Sequence, residues 1–389
     1  GRCNITNVAD RADFVSHFGS TGDFLKYAFS CYFTPEVVEF FEFRGLKLAT
    51  ERGGRIFPES GRATDVFEVF RTWIKGMDVD VQCSSTVERL LIDAGCIRGV
   101  VAGGQEILAD AVILATGGMT YPATGSNGEG YGLAKSAGHT IVRPRCALVP
   151  LETAGSTARR LSGLNLRNVK STLVVDGEAV REDFGEMTFS DFGVTGPVIL
   201  TSSGAAVDAM ERNQSVALLI DLKPALTKEK LAARLSRDCT ERSRDPLVSL
   251  LRGLLPKEMV PVCLQATGIS GKIPSGSVTE KQRARLVDWL KELRLEVTGS
   301  RPVEEAIVTA GGVSTEEIDP ESMESFKCKG LYIVGELLDI QADTGGYNLQ
   351  AAFTTGWMAA RHAAGEKVEP EYLIEETEEI VVEPATRVE

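Results

Sequence analysis

The chain has 389 residues, 42 Lys and Arg against 55 Asp and Glu, and a formal net charge of −13. A length beyond the roughly 250 residues at which single cores stop growing implies two or three subdomains, and 43% hydrophobic content excludes a disordered polymer. No run approaches the ~18 uninterrupted apolar residues of a membrane helix, and so acidic a protein is a poor partner for nucleic acid.

The chain begins Gly1-Arg2-Cys3-Asn4 without a methionine, and nowhere does G-x-G-x-x-G follow a strand. A dinucleotide-binding domain needs that phosphate-binding unit, so about 40 residues are expected to precede Gly1 in the full protein. Ala63 to Lys75 carries Val66, Val69, Phe70, Trp73 and Ile74 at helical spacing, one apolar stripe. Residues 80–110 switch to short strands, with turns at Asp93-Ala94-Gly95 and Gly103-Gly104, the pattern of an antiparallel meander. Residues 112–116 form an apolar run closed by Gly117-Gly118. The following Gly125 to Gly132 stretch is glycine-rich, but it follows Pro122 rather than a strand and has the wrong spacing for a phosphate loop.

Residues 145–222 read as mostly β, with strand runs at 171–175 and 215–220 and the hairpin signal Asp176-Gly177. Residues 225–295 read as helical. Leu231, Leu235, Leu247, Leu250, Leu251 and Leu254 recur at helical intervals, and Thr279 with Gln282 makes a capping box. Residues 296–314 lead back toward a second apolar run, 331–334, closed by Gly335-Glu336. Both glycine-closed runs read as interior parallel strands, beyond whose carboxyl ends ligands bind in α/β sheets. They lie more than 200 residues apart, so one sheet is expected to form from both ends of the chain with an insertion between them. A helix is expected from 346 to 364. The tail from 366 to 389 holds nine Glu against Lys367 and Arg387, a solvated acidic end.

The eight cysteines form no C-x-x-C pair, which suits a reducing cytoplasm. His17, His139 and His362 are the only histidines and lie at no metal-ligand spacing, so no metal is expected and a hydrolytic triad is disfavoured. His139 reads as a helix-end residue and Cys3 as a structural thiol.

Several blocks in a fixed order carry a resemblance. They are Gly1-Arg2-Cys3-Asn4-Ile5-Thr6-Asn7, Gly54-Arg55-Ile56-Phe57-Pro58, Ala115-Thr116-Gly117-Gly118-Met119, Gly193-Val194-Thr195-Gly196-Pro197, Thr309-Ala310-Gly311-Gly312-Val313, Gly335-Glu336-Leu337 and Gly345-Gly346-Tyr347-Asn348-Leu349. Together the chain resembles the bacterial FAD-dependent flavoproteins that include aminoacetone oxidase and a bile-acid dehydro-reductase, lacking their N-terminal GxGxxG segment. The resemblance implies an α/β, glutathione-reductase-like FAD-binding domain, split by an inserted β-barrel-like domain and a small helical domain. The implied boundaries are 1–145 with 310–365, then 146–224 with 296–309, then 225–295.

A flavin presents a pyrophosphate, ribityl hydroxyls and a ring edge that becomes negative on reduction. Gly345 and Gly346, with Tyr347, Asn348 and Leu349 opening the helix, are expected to aim backbone N–H groups at that edge. Glu336 and Asp339, after Gly335, are placed to accept from ribityl hydroxyls. Ala115, Thr116, Gly117 and Gly118 allow close backbone approach, and Val87 can pair the adenine through its backbone. Gly1, Arg2, Cys3 and Asn4 lie near the ring by family position alone. For the glycine turns, a tight connection before a packing helix is the competing reading. No catalytic acid or base is assigned. The expected activity is hydride transfer between a small organic substrate and FAD, with oxygen or transiently bound NAD(P)H as second partner. A regulatory or scaffold protein using FAD structurally is the alternative, and the oligomeric state is not read.

Overall fold

The computed structural model describes residues 1–370, so most of the acidic tail falls outside the described residues. Its first residues depart from a solvated end, because Val368 is buried and its carbonyl accepts from the Tyr27 hydroxyl at 2.9 Å.

The chain divides into two units. The first comprises Gly1–Gly118, Gly128–Arg143 and the chain from Gly311 onward; the second comprises Met119–Asn127 and Pro144–Ala310. In the first unit, Leu331–Ile333 pairs in parallel with Val112–Leu114, in the register Leu331 with Val112 and Ile333 with Leu114. The two distant glycine-closed runs therefore share one sheet. They differ from the interior strands expected, since among the described residues this sheet has two strands and Ile113 is 38% exposed. The meander forms as read, over Val87–Asp93, Cys96–Ala102 and Gln105–Leu108. Its turns hold Ala94 and Gly95, then Gly103 and Gly104, at positive φ.

The Ala63–Lys75 helix has the expected bounds, but of its stripe only Val66 is buried. Phe70 and Trp73 instead line an apolar cavity of about 860 Å³ with Phe40, Phe353 and Trp357. None of the glycine-motif residues contributes to that cavity.

The second unit is a closed barrel with strand order 165–175, 178–189, 193–195, 151–153, 293–300, 216–221. Asp176 and Gly177 turn its first hairpin with φ of 49° and 90°, the left-handed pair that a two-residue hairpin requires. The helices Lys228–Glu241, Leu247–Leu251, Met259–Thr267 and Glu280–Lys291 follow, and Thr279 with Gln282 makes the expected capping box. Their apolar faces join the barrel interior in one buried cluster containing Leu173, Leu218, Leu235, Leu251 and Leu286.

A helix, Pro197–Glu211, stands where strands were expected. Pro197 occupies its first turn, where a missing N–H costs nothing. Gly204, in its interior, has open space where a Cβ would stand. Gly204→Ala is therefore expected to raise stability by about 0.5–1 kcal/mol, checked by denaturant unfolding.

Candidate functional site

The Tyr347–Ala363 helix starts from Gly346, which has φ of 100° and leaves the helix without a side-chain cap. A Cβ on Gly346 would stand 2.4 Å from the Thr6 carbonyl oxygen, so only glycine allows this approach to the Thr6–Asn7 strand. Asn7 Nδ2 donates to the Gly345 carbonyl at 2.9 Å, and Thr6 Oγ1 donates to Gln350 Oε1 at 2.7 Å. The amino-terminal block and the diglycine turn are thus brought together across about 340 residues. Asn348 is spent on the backbone: its Nδ2 donates to the Ala342 carbonyl at 3.0 Å, and its Oδ1 accepts from Ala342 N–H at 2.8 Å. The Tyr347 ring is buried, whereas Leu349 stands 37% exposed. What remains available at this helix end is backbone: the first-turn N–H groups have no carbonyl partner within the helix.

The other expected site residues fall around this frame. Gly1 accepts from Ala63 N–H through its carbonyl. Arg2 pairs with Glu51 and covers the Phe57 ring at 4.3 Å. Cys3 sits at φ of 57°, and burial pushes its thiol above the usual range. Asn4 Oδ1 is buried without a hydrogen-bond partner among the described residues, as is Gln341 Oε1.

Beyond the Val112–Leu114 strand, Ala115 and Thr116 are exposed and Gly118 is buried. A Cβ on Gly130 would strike Thr116 Oγ1, so the glycine lets the 129–136 helix close on that turn. Gly335 donates its N–H to Thr355 Oγ1 at 3.0 Å, while Glu336 and Asp339 are half-buried and Asp339 N–H donates to the Val313 carbonyl at 2.8 Å. Val87 opens the meander, paired with Ala102.

The HI0933-like protein Rossmann domain family matches residues 1–362. The chain belongs to that family. This HI0933-like chain is similar to the 3-dehydro-bile acid delta(4,6)-reductase of Clostridium scindens, with 31% identity over 366 residues, 94% of this chain and 88% of that protein. It is 24% identical over 363 residues to the ribosomal RNA dihydrouridine synthase of Haemophilus influenzae, covering 92% of this chain and 86% of that one. A solved structure of Escherichia coli quinol fumarate reductase overlays 93% of this chain and 62% of its own, at TM-score 0.43 and 18% identity. The HI0933-like chain is a Rossmann-type flavoprotein and an oxidoreductase.

The residues present fit the ring end of a flavin. A helix N-terminus without a side-chain cap offers donors, and the buried Asn4 Oδ1 and Gln341 Oε1 are acceptors still to be satisfied.

One histidine cluster escaped the sequence reading. His139 is not simply a helix-end residue. Its Nε2 lies 2.7 Å from Ser325 Oγ and its Nδ1 3.1 Å from Glu317 Oε2, the connectivity of a hydrolytic triad. Ser325 is buried, however, and its Oγ also accepts from the N–H groups of Lys327 and Cys328, both at 3.0 Å. Both lone pairs of that hydroxyl are committed, so the cluster is a staple rather than a nucleophile. Burial holds His139 below its ordinary value despite the bond to Glu317. Burial would raise Glu317, but bonds from Thr140 and the charge of Lys327 outweigh it and lower that carboxyl.

The unfolded chain therefore binds more protons than the native one below about pH 6.5, the ordinary imidazole value. Stability is expected to fall as pH drops from the ordinary imidazole value toward His139's lower native one, and again below the ordinary carboxylate value as Glu317 protonates. In His139→Gln the first phase should vanish while the second remains. Urea midpoints from about pH 7.5 down to about pH 2.5 check this.

Proposed function

We propose that the chain transfers a hydride between a small organic substrate and FAD, with oxygen or NAD(P)H as second electron partner. The flavin ring, when bound, supplies the hydride-accepting centre. The observation that carries the reading is the Gly345-Gly346 turn, whose left-handed cap and tether to Thr6 and Asn7 leave first-turn N–H groups unclaimed by side chains. N–H groups at a helix N-terminus favour the negative charge that the ring edge acquires on reduction.

In this reading Gly345, Gly346, Tyr347, Asn348 and Leu349 hold the pyrimidine edge through their backbone, and Gly1, Arg2, Cys3 and Asn4 border the ring. Gly335, Glu336 and Asp339 take the ribityl chain. Ala115, Thr116, Gly117 and Gly118 approach the cofactor closely, and Val87 meets the adenine. The glutathione-reductase-like domain spans 1–145 and 310–365, with the β-rich insertion at 146–224 and 296–309 and the helical part at 225–295. The eight free cysteines fit a cytoplasmic protein.

The substrate is a small molecule such as the 3-dehydro bile acid named for the Clostridium relative, not RNA as named for the Haemophilus one. The net charge of −13 favours this choice, since phosphate contacts demand clustered Lys and Arg. Visible spectra followed by anaerobic mixing with NADH, NADPH, amines and 3-dehydro bile acids test the assignment. Rapid bleaching by a donor, then recolouring by a small acceptor, is expected. A flavin that bleaches with none of these belongs to the scaffold alternative. Recolouring by ribosomal RNA alone would overturn the substrate class.

A further inference from the structure

Two segments of chain border the diglycine turn, and each carries a buried oxygen that receives no hydrogen bond. On one side Asn4 precedes the Thr6–Asn7 strand. That segment is fixed by the Ile5 N–H, which donates to the Ile56 carbonyl at 2.8 Å, and by the close approach of the Thr6 carbonyl to Gly346. On the other side Gln341 lies between Ile340 and Ala342, both buried. Ala342 is bound through its N–H and its carbonyl to the Asn348 side chain, in the first turn of the helix. Asn4 Oδ1 and Gln341 Oε1 are buried and have no hydrogen-bond partner among the described residues. Leaving a buried acceptor unbonded is costly, and a pair of them beside one turn points to a donor that arrives with a ligand.

The class of ligand follows from what stands together here. First-turn N–H groups alone would suit any anion. Amide oxygens do not, because the oxygens of a phosphate are acceptors too. The loop also brings no cation: its one charged side chain between 340 and 349 is Asp343, whose Oδ2 lies 3.3 Å from His17 Nδ1. Arg2, two residues before Asn4, is paired with Glu51. Donors beside acceptors fit a ring whose edge alternates the two. The pyrimidine edge of a flavin is of that kind, since C2=O accepts, N3–H donates and C4=O accepts. Helix N–H groups suit the N1–C2=O end, and the adjoining N3–H then needs an acceptor.

We propose that Asn4 and Gln341 receive the flavin N3–H, their two amide oxygens sharing that hydrogen in a three-centre bond. The assignment rests on the flavin reading given above and adds an orientation to it: the imide end of the ring meets the turn, and the pyrophosphate lies elsewhere. Gln341, which belongs to none of the sequence motifs, becomes a specificity residue for the imide.

Two measurements on the full chain test this. The first compares affinity for FAD with affinity for FAD methylated at N3, which keeps the ring, the ribityl chain and the pyrophosphate but has no N3–H. Wild type should prefer FAD by about fivefold to a hundredfold, the effect of leaving buried acceptors unpaired. Asn4→Ala and Gln341→Ala should each reduce that preference. The double variant, which also makes room for the methyl group, should lose it. The second measurement is urea unfolding of the flavin-free protein carrying Asn4→Leu and Gln341→Met. Oxygens reserved for a ligand can be replaced by apolar groups of similar size without loss, so the midpoint should hold or rise. A lower midpoint would show the oxygens to be bonded within the protein and would overturn the proposal. A preference for FAD kept in the double alanine variant would overturn it too. If wild type binds FAD and the methylated flavin equally, the flavin reading stands and the N3 assignment falls. If the midpoint holds but neither flavin binds wild type, the flavin reading itself fails and the assignment falls with it.

Discussion

Gly346→Ala is expected to lower unfolding free energy by about 2–5 kcal/mol, the sum of a left-handed backbone penalty and a packing clash. The added Cβ would meet the carbonyl oxygen and carbon of Thr6 at 2.4 and 2.6 Å, and backbone atoms cannot rotate away. The Thr6–Asn7 strand must shift, which also strains the bond from Asn7 to the Gly345 carbonyl. The steric consequence thus falls on the protein before it reaches any ligand. Denaturant unfolding of the flavin-free protein measures that part alone. The flavin part is read as a midpoint potential on the same variant. A fall of some tens of millivolts is expected if one N–H bond to the reduced ring is lost, since ~30 mV of a two-electron couple is about 1.4 kcal/mol. An unchanged potential with FAD still bound would make the turn a packing element only.

Lys291→Met is expected to cost about 3–5 kcal/mol, the usual effect of removing one partner of a buried ion pair. The Lys291 ammonium pairs with Asp221 and also donates to the carbonyls of Leu226 and Lys223, at 2.6 and 3.2 Å. Asp221 ends the Val216–Asp221 barrel strand and Lys291 ends the Glu280–Lys291 helix, so this group of bonds ties the helical segment to the barrel rim. Truncating the lysine leaves the buried Asp221 carboxylate without its counter-charge, with only the Lys223 N–H donating to its Oδ1 at 2.8 Å, and takes the ammonium from two carbonyls. Asp221→Asn together with Lys291→Met should recover part of the loss, because the stranded charge is then gone. Urea unfolding of the two variants checks both statements; equal stability of wild type and Lys291→Met would show the pair to be idle.

Local chemistry made much of the fold legible. Asp176-Gly177, the Thr279 capping box and the glycine-closed runs each state their backbone conformation in a few adjacent residues. The Pro197–Glu211 helix did not. Its run of Val198, Ile199, Leu200 and Thr201 has β-type composition, and its two central serines turn their hydroxyls back onto the helix's own carbonyls. Ser202 Oγ donates to the Val198 carbonyl at 3.0 Å and Ser203 Oγ to the Leu200 carbonyl at 2.7 Å, so no polar face marks the helical period. Gly196-Pro197 was the available signal. At the site, the diglycine motif was readable because a single backbone torsion demands it. The histidine cluster was not, since His139 meets Glu317 and Ser325 across 178 and 186 residues. Spacing in sequence carries no trace of such pairs.

The parallel pairing of Val112–Leu114 with Leu331–Ile333 also orders events in time. A ribosome adds roughly 5–20 residues per second, so the second strand emerges on the order of 10–40 s after the first. Throughout that interval the Val112–Leu114 strand has no mate on that side, and the helix carrying the diglycine turn does not yet exist. The barrel segment, lying wholly between the two strands, has all its own residues and is free to fold meanwhile. Late-forming, non-local strand pairing of this kind is slow and open to aggregation. A nascent chain released before Leu331 is made therefore has a complete barrel and no means of assembling the diglycine site. In the proposed flavin reading, cofactor loading is then confined to the last moments of synthesis or to the finished chain.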